Sequence, residues 1–127
     1  MLEVDIPEIL AELTAMFEAY ERALVTNDIE TLNRLFWDSR ATVRYGTRDI
    51  ERQYGHAEIA EFRIRRGAVN AERTLQNRLI TTFGRDFGIA NTEFRSPSSD
   101  RIGRQSQTWM RTTNGWKIVG AHVSYGI

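Results

Sequence analysis

The sequence predicts an α+β domain in which three helices lie on one face of a curved antiparallel sheet. Three observations predict it. Apolar residues in the first half recur at helical spacing. The second half switches to alternation in stretches rich in β-branched and aromatic residues. Between those stretches stand two strong turn signals, Ser96-Pro97-Ser98-Ser99-Asp100 and Asn114-Gly115. Helices followed by a run of strands give an α+β layer architecture.

The elements follow in order. Asp5, Pro7 and Glu8 read as an N-cap, an early proline and a capping-box glutamate. From there Leu10, Leu13, Phe17, Tyr20 and Leu24 form one face of a helix to about Val25. Asn27-Asp28 ends it and caps a short second helix with Ile29, Leu32, Leu35 and Phe36 on its apolar side. A short strand is expected near Thr42–Tyr45, then a third helix from His56 to Arg66 with Ile59 and Phe62 inward and Gly67 as its stop. Strands are expected at Thr74–Phe83, Phe87–Phe94, Ile102–Thr112 and Trp116–Ser124, giving the order ααβαββββ. Asn114-Gly115 predicts a tight hairpin with both central residues at positive φ.

At 127 residues the chain is expected to be one domain, spanning 1–127. Apolar residues at 41% and charged residues at 27% argue against disorder. Cys is absent, which removes disulfides, thiolate metal sites and Cys nucleophiles. His56 and His122 are the only histidines, and no carboxylate spacing completes a metal site around them, so no metal and no cofactor are expected. There is no apolar run of the roughly 18 residues a membrane span needs and no basic-then-apolar start, so the expected location is the cytoplasm. Seventeen basic residues balance seventeen acidic ones, which gives no overall attraction to nucleic acid or to an anionic membrane.

Lys117 is the only lysine, so sixteen of the basic residues are arginine. A GC-rich genome explains most of that bias. Any arginine that turns inward is nevertheless a binder of carboxylate or phosphate, because its planar fork matches those anions and stays charged.

Several positions admit both a structural and a functional reading. Tyr20 sits on the apolar helix face, where a core tyrosine is the default. Arg44 points either to solvent or to the helix-covered face, where it requires an anion partner. Arg63, Arg65 and Arg66 close the third helix and suit its negative end; Arg65 and Arg66 are read that way, while Arg63 is weighed equally as a carboxylate clamp. His122 shares a strand face with Trp116, Ile118, Gly120 and Ser124, and is either structural or a pocket residue. Gln105, Gln107 and Trp109 share one face of the preceding strand, where amides suit a urea-like N–H and C=O. Tyr54 either packs or lines the pocket. No Gly-rich phosphate loop, nucleophile elbow or carboxylate pair is visible. Asp38, Asp49 and Glu93 are possible bases that nothing in their context distinguishes. Val119, Ala121 and Val123 form an apolar row expected on the outer sheet face, which predicts a homodimer or larger homo-oligomer.

The element order is that of the nuclear transport factor 2-like, or SnoaL-like, cone. The stretch GRQSQTWMRTTNGWKIVGAHVS resembles the closing hairpin of SnoaL-like proteins and of the calcium/calmodulin kinase association domain, in which a Trp after the turn precedes His-x-Ser; here these are Trp116, His122 and Ser124. The segments YERALVTNDIETLNRLFW, VRYG and QYGHAEIAEFRIRR resemble the AtzH-like group, which includes the HpxZ proteins of oxalurate catabolism. The resemblance implies decarboxylation of a dicarboxyurea-type compound in one branch and a step of purine-ureide breakdown in the other. It also implies catalytic roles for a tyrosine of the first helix and an arginine of the first strand, matched by Tyr20 and Arg44. The expected activity is thus that of a metal-free decarboxylase or amidohydrolase on a small anionic ureide. The alternative is a non-catalytic module that binds an anionic metabolite or mediates assembly.

Overall fold

The computed structural model describes residues 2–126. The elements are α1 (Pro7–Val25), α2 (Ile29–Leu35), β1 (Val43–Tyr45), β2 (Arg52–Tyr54), α3 (His56–Arg66), β3 (Thr74–Phe83), β4 (Phe87–Arg95), β5 (Gly103–Thr112) and β6 (Gly115–Tyr125). The three helices cover one face of a six-stranded sheet of order β2-β1-β6-β5-β4-β3. All neighbouring strands are antiparallel except β1 and β6, which are parallel.

The helices form where the apolar spacing places them. Ile9, Leu13, Phe17, Tyr20 and Leu24 are the buried side of α1. Asp28 caps α2, its carboxylate accepting the Thr31 N–H at 3.2 Å. Gly67 ends α3 at a φ of 75°. The start of α1 departs from expectation, because Ile6 occupies the N-cap position and makes no side-chain cap. Asp5 instead takes a φ of 57°. Its carboxylate accepts the Thr82 N–H at 2.9 Å, and its own N–H donates to the Thr82 carbonyl at 3.0 Å. The residue therefore ties the N-terminal segment to β3.

Two further departures are local. Arg52–Tyr54 forms a strand that three residues give no period to reveal; pairing with β1 creates it. The last hairpin closes with Thr112 opposite Gly115, and of its turn residues only Gly115 has positive φ, at 93°. Its turn is a glycine-bulge type rather than one with both central residues left-handed.

A bulge in β6 decides which side chains reach the covered face. Thr108 pairs with Gly120 but Trp109 pairs with Ile118, so Val119 is an extra residue. One inserted residue inverts the alternation beyond it. Trp116 and Ile118 face the helices, at 5% and 0% exposure. After the bulge, Ala121 and Val123 take that inner face, opposite Gln107 and Gln105. One inner row thus crosses the sheet through Ala90, Gln107, Ala121, Arg44 and Gln53. The matching outer row is Leu79, Asn91, Ser106, His122, Tyr45 and Arg52. The expected outer row Val119, Ala121, Val123 does not exist, and His122 does not share a face with Trp116 and Ile118.

The core clusters between α1, α2 and the inner sheet face, with Leu13, Phe17, Leu32, Phe36, Ile59, Trp109 and Ile118 fully enclosed. No helix among the described residues is long and apolar enough to cross a membrane.

Candidate functional site

The core does not fill the cone. At the end of α1 remote from Asp5, a cavity of about 270 Å³ remains. Its wall includes Tyr20 and Leu24 of α1, Arg44 of β1, Arg66 of α3, Gln105 of β5 and Val123 of β6. Arg73, Glu51, Ser96, Ser98 and Tyr125 complete its polar rim. A volume near the lower end of ligand pockets, about 300–1,000 Å³, suits a small metabolite.

Each cavity residue is placed by a feature already described. Tyr20 lies three residues beyond Phe17 on the buried stripe of α1. Arg44 is inward because β1 aligns with β6 beyond the bulge, Arg44 opposite Ala121. Its Nη1 donates to Gln53 Oε1 at 3.0 Å, and its guanidinium lies 4.6 Å over the Phe62 ring. Glu51 Oε1 is 3.9 Å from that Nη1, a loose ion pair rather than a hydrogen bond. Arg66 follows Ile59 and Arg63 around the same face of α3 and has no carboxylate partner among the described residues. Arg73 is held tightly: its guanidinium donates to both Glu21 oxygens at 2.8 and 3.2 Å, and reaches Gln105 Oε1 at 3.4 Å.

The electrostatics favour an anion. Among the described residues, Arg44, Arg66 and Arg73 line the cavity against a single lining carboxylate, Glu51. Burial pulls Arg44 and Arg66 below the ordinary arginine value, with a Tyr20 phenolate the largest opposing influence. Burial lowers Arg63 to about 10, again opposed first by Tyr20. All three guanidiniums therefore feel the same phenol oxygen, and all remain cationic at neutral pH. On Glu21, burial outweighs Arg73 and raises the carboxyl above its usual range. Gln105 is 3% exposed, and with Oε1 taken by Arg73 its Nε2 has no partner among the described residues. An amide donor buried without an acceptor is costly unless a ligand supplies one.

Of the residues weighed in the sequence, Tyr20, Arg44 and Gln105 meet at this cavity. Arg63 is buried but lies off the cavity wall; it donates to Asn33 Oδ1 at 2.9 Å and leaves Nε unpartnered. Gln107 and Trp109 are core residues, the indole N–H donating to Gln107 Oε1 at 3.1 Å. Tyr54 and His122 stand on the outer face. Tyr54 pairs with Val43 there, and the Tyr45 ring packs against both Tyr54 and His122. The Val119 bulge and the inward turn of Arg44 between Val43 and Tyr45 put them there. Asp38 and Glu93 lie outside the cavity, Asp38 fully at the surface and Glu93 bonded to Asn77. Arg66, first read as a solvated helix end, is a wall residue. Its signal was present in the sequence: 59, 63 and 66 fall on one helical face. Arg73 and Glu51 carried none, because loops bring them in, and Glu21 of α1 is recruited only by its ion pair with Arg73. Among the described residues no three His, Asp or Glu side chains gather to hold a metal ion.

These features define a nuclear transport factor 2-like cone with a polar, cationic cavity. A nuclear transport factor 2-like superfamily protein from Salmonella enterica superposes with a TM-score of 0.73 at 23% identity, covering 94% of this chain and 92% of that one. Closer likeness is found to a protein of unknown function from the DUF3225 family of Pectobacterium atrosepticum, with a TM-score of 0.93, 46% identity, and 98% and 95% of the two chains covered. A cystatin-like fold protein from Burkholderia xenovorans gives 0.94 and 48%, over 98% and 97% of the chains. No curated protein matches. The family described as AtzH-like matches residues 2–126, and the chain belongs to it.

Proposed function

We propose that the chain is an enzyme acting on a small anionic ureide or N-carboxylated urea, as a decarboxylase or decarboxylating amidohydrolase, with a place in oxalurate or related ureide breakdown. The observation that carries the reading is the opening of Tyr20 and two guanidiniums, Arg44 and Arg66, onto one small cavity. Membership of the AtzH-like family supports it.

The chemistry follows from what such a substrate requires. In an N-carboxylate the bond between nitrogen and the carboxylate carbon breaks, its electron pair stays on nitrogen, and the carbon leaves as carbon dioxide. Tyr20 delivers a proton to that nitrogen as general acid, a role typically worth about 10²–10⁴-fold. The guanidiniums stabilise the phenolate left behind, which regains its proton from water at the mouth. Arg44 anchors a carboxylate and fixes the geometry, and the free Gln105 Nε2 donates to a ureide carbonyl. Every group in this step is a side chain of the cavity wall.

The test is to incubate the chain with allophanate, oxalurate and malonate while following carbon dioxide release and thermal unfolding. A ligand at a hundred times its dissociation constant stabilises by about 2.7 kcal/mol. Stabilisation with product supports the enzyme; stabilisation without product from any N-carboxylated urea leaves a binding module; neither refutes the anion pocket. Self-association across the outer sheet face is a separate proposal. Tyr45, Tyr54, Leu79 and Phe87 are large side chains exposed there, and a light-scattering mass of one chain at micromolar concentration contradicts it.

A further inference from the structure

We infer that Glu51 is a specificity-determining residue: its Oε1 accepts the N–H next to the carboxylate that Arg44 holds, so the cavity selects acids bearing that N–H over their methylene counterparts. The inference rests on the anion-pocket reading above.

The two oxygens of Glu51 are used differently. Oε2 folds back into the β1–β2 loop and accepts from the Arg48 backbone N–H at 3.1 Å, the Arg48 Nε at 3.0 Å and the Thr47 hydroxyl at 3.3 Å. Those bonds immobilise the carboxylate. Oε1 is turned the other way, with Arg44 Nη1 at 3.9 Å, outside hydrogen-bond length. Glu51 is only 9% exposed and lines both this cavity and a neighbouring pocket with Gln53 and Phe62.

Gly46 makes this placement possible. A Cβ at that position would lie 2.7 Å from Glu51 Oε1 and 2.9 Å from Arg44 Nη1. Carboxylate oxygen and guanidinium thus fill the space that a side chain at Gly46 would need. A ligand carboxylate seated on Arg44 brings its neighbouring atom to Oε1. If that atom is a nitrogen with a hydrogen, a charge-assisted bond forms. A methylene there leaves an immobilised anionic oxygen desolvated and unpaired, and sites built around a polar partner reject such analogues strongly. Gln105 Nε2, the donor on β5, then serves the ureide carbonyl. A counter-ion role for Glu51 toward Arg44 would produce no such selectivity.

The experiment titrates the full chain with a matched pair, allophanate against malonamate, which exchanges the N–H bonded to the carboxylate for CH2 at equal charge and length. The expected result is that the N–H member binds about tenfold or more tightly, the worth of one hydrogen bond to a charged group. Glu51→Gln is expected to compress that ratio to within about threefold, because its amide keeps the loop bonds and presents N–H to N–H. Loosening of the loop alone would weaken both members equally and preserve the ratio, which overturns the inference. Should Glu51→Gln unfold, Glu51→Asp withdraws the oxygen and must compress the ratio as well. Equal binding of both members by the unaltered chain overturns the inference while leaving the anion pocket standing. Failure of both to bind at millimolar concentration removes the pocket reading and this inference together.

Discussion

Toward one end of the cone α1 sends Leu13 and Phe17, each 0% exposed, into the cluster that holds Trp109 and Ile118. One turn later the same helix sends Tyr20 and Leu24 to the wall of a cavity. Strand β5 repeats the contrast, with Trp109 enclosed in the core and Gln105 on the cavity wall. Strand β6 does so as well, and there the change coincides with the Val119 bulge: Trp116 and Ile118 pack on one side of it, Val123 and Tyr125 line the cavity on the other. The packed end is closed by apolar side chains, whereas the open end gathers the guanidiniums of Arg44 and Arg66, whose charged forms burial disfavours. Buried cations without matching carboxylates destabilise a fold unless an anion joins them. The difference supports the proposal that the open end is built for a ligand.

Substitutions should therefore act oppositely at the two ends. Phe17→Ala leaves a void among fully enclosed neighbours and is expected to cost about 3–5 kcal/mol in chemical denaturation, with turnover per folded molecule unchanged. An equal loss from Tyr20→Phe would erase the distinction between the ends. Gly46→Ala is expected to displace Glu51 and Arg44, lowering ligand affinity about tenfold, or ~1.4 kcal/mol, by calorimetry. Unchanged affinity would show that this corner is not part of the site.

The smallest effect concerns Glu21, whose carboxyl burial raises despite its bond to Arg73. A raised folded-state value means the native chain holds the proton more firmly. Stability from this group is therefore full below the unfolded value and is lost as pH rises through the folded one. The stability of the unaltered chain minus that of Glu21→Gln is expected to fall as pH rises through and above the ordinary carboxylate range. A difference that grows with pH would mean the ion pair to Arg73 outweighs burial.

The fold was largely legible because its signals are local and periodic. The stripe through Leu13, Phe17 and Tyr20, the Asp28 cap and the Gly67 stop each depend on residues within a few positions. What escaped depends on pairing. Nothing in VGAHV announces that Val119 bulges, because a bulge is set by the register against Thr108 and Trp109; without it, His122 is assigned inward and Ala121 outward. Asp5 mimics an N-cap, yet its partner Thr82 is 77 positions away. Of the site, Tyr20 follows from helical spacing, whereas Arg44 is ambiguous in a three-residue strand until the family motif is considered. Arg73, Glu21 and Glu51 enter through loop closure and an ion pair 52 residues apart in sequence, which no spacing rule reaches.

The central claim is that Tyr20 donates a proton within a pocket whose arginines do the binding, and the direct measurement is steady-state turnover of Tyr20→Phe beside ligand binding by the same preparation. The substitution removes one hydroxyl and almost no volume. The expected result is a kcat lowered by about 10²–10⁴-fold with oxalurate or allophanate still stabilising the fold as before. A kcat within twofold of the unaltered chain, on a substrate that is turned over, would contradict the account.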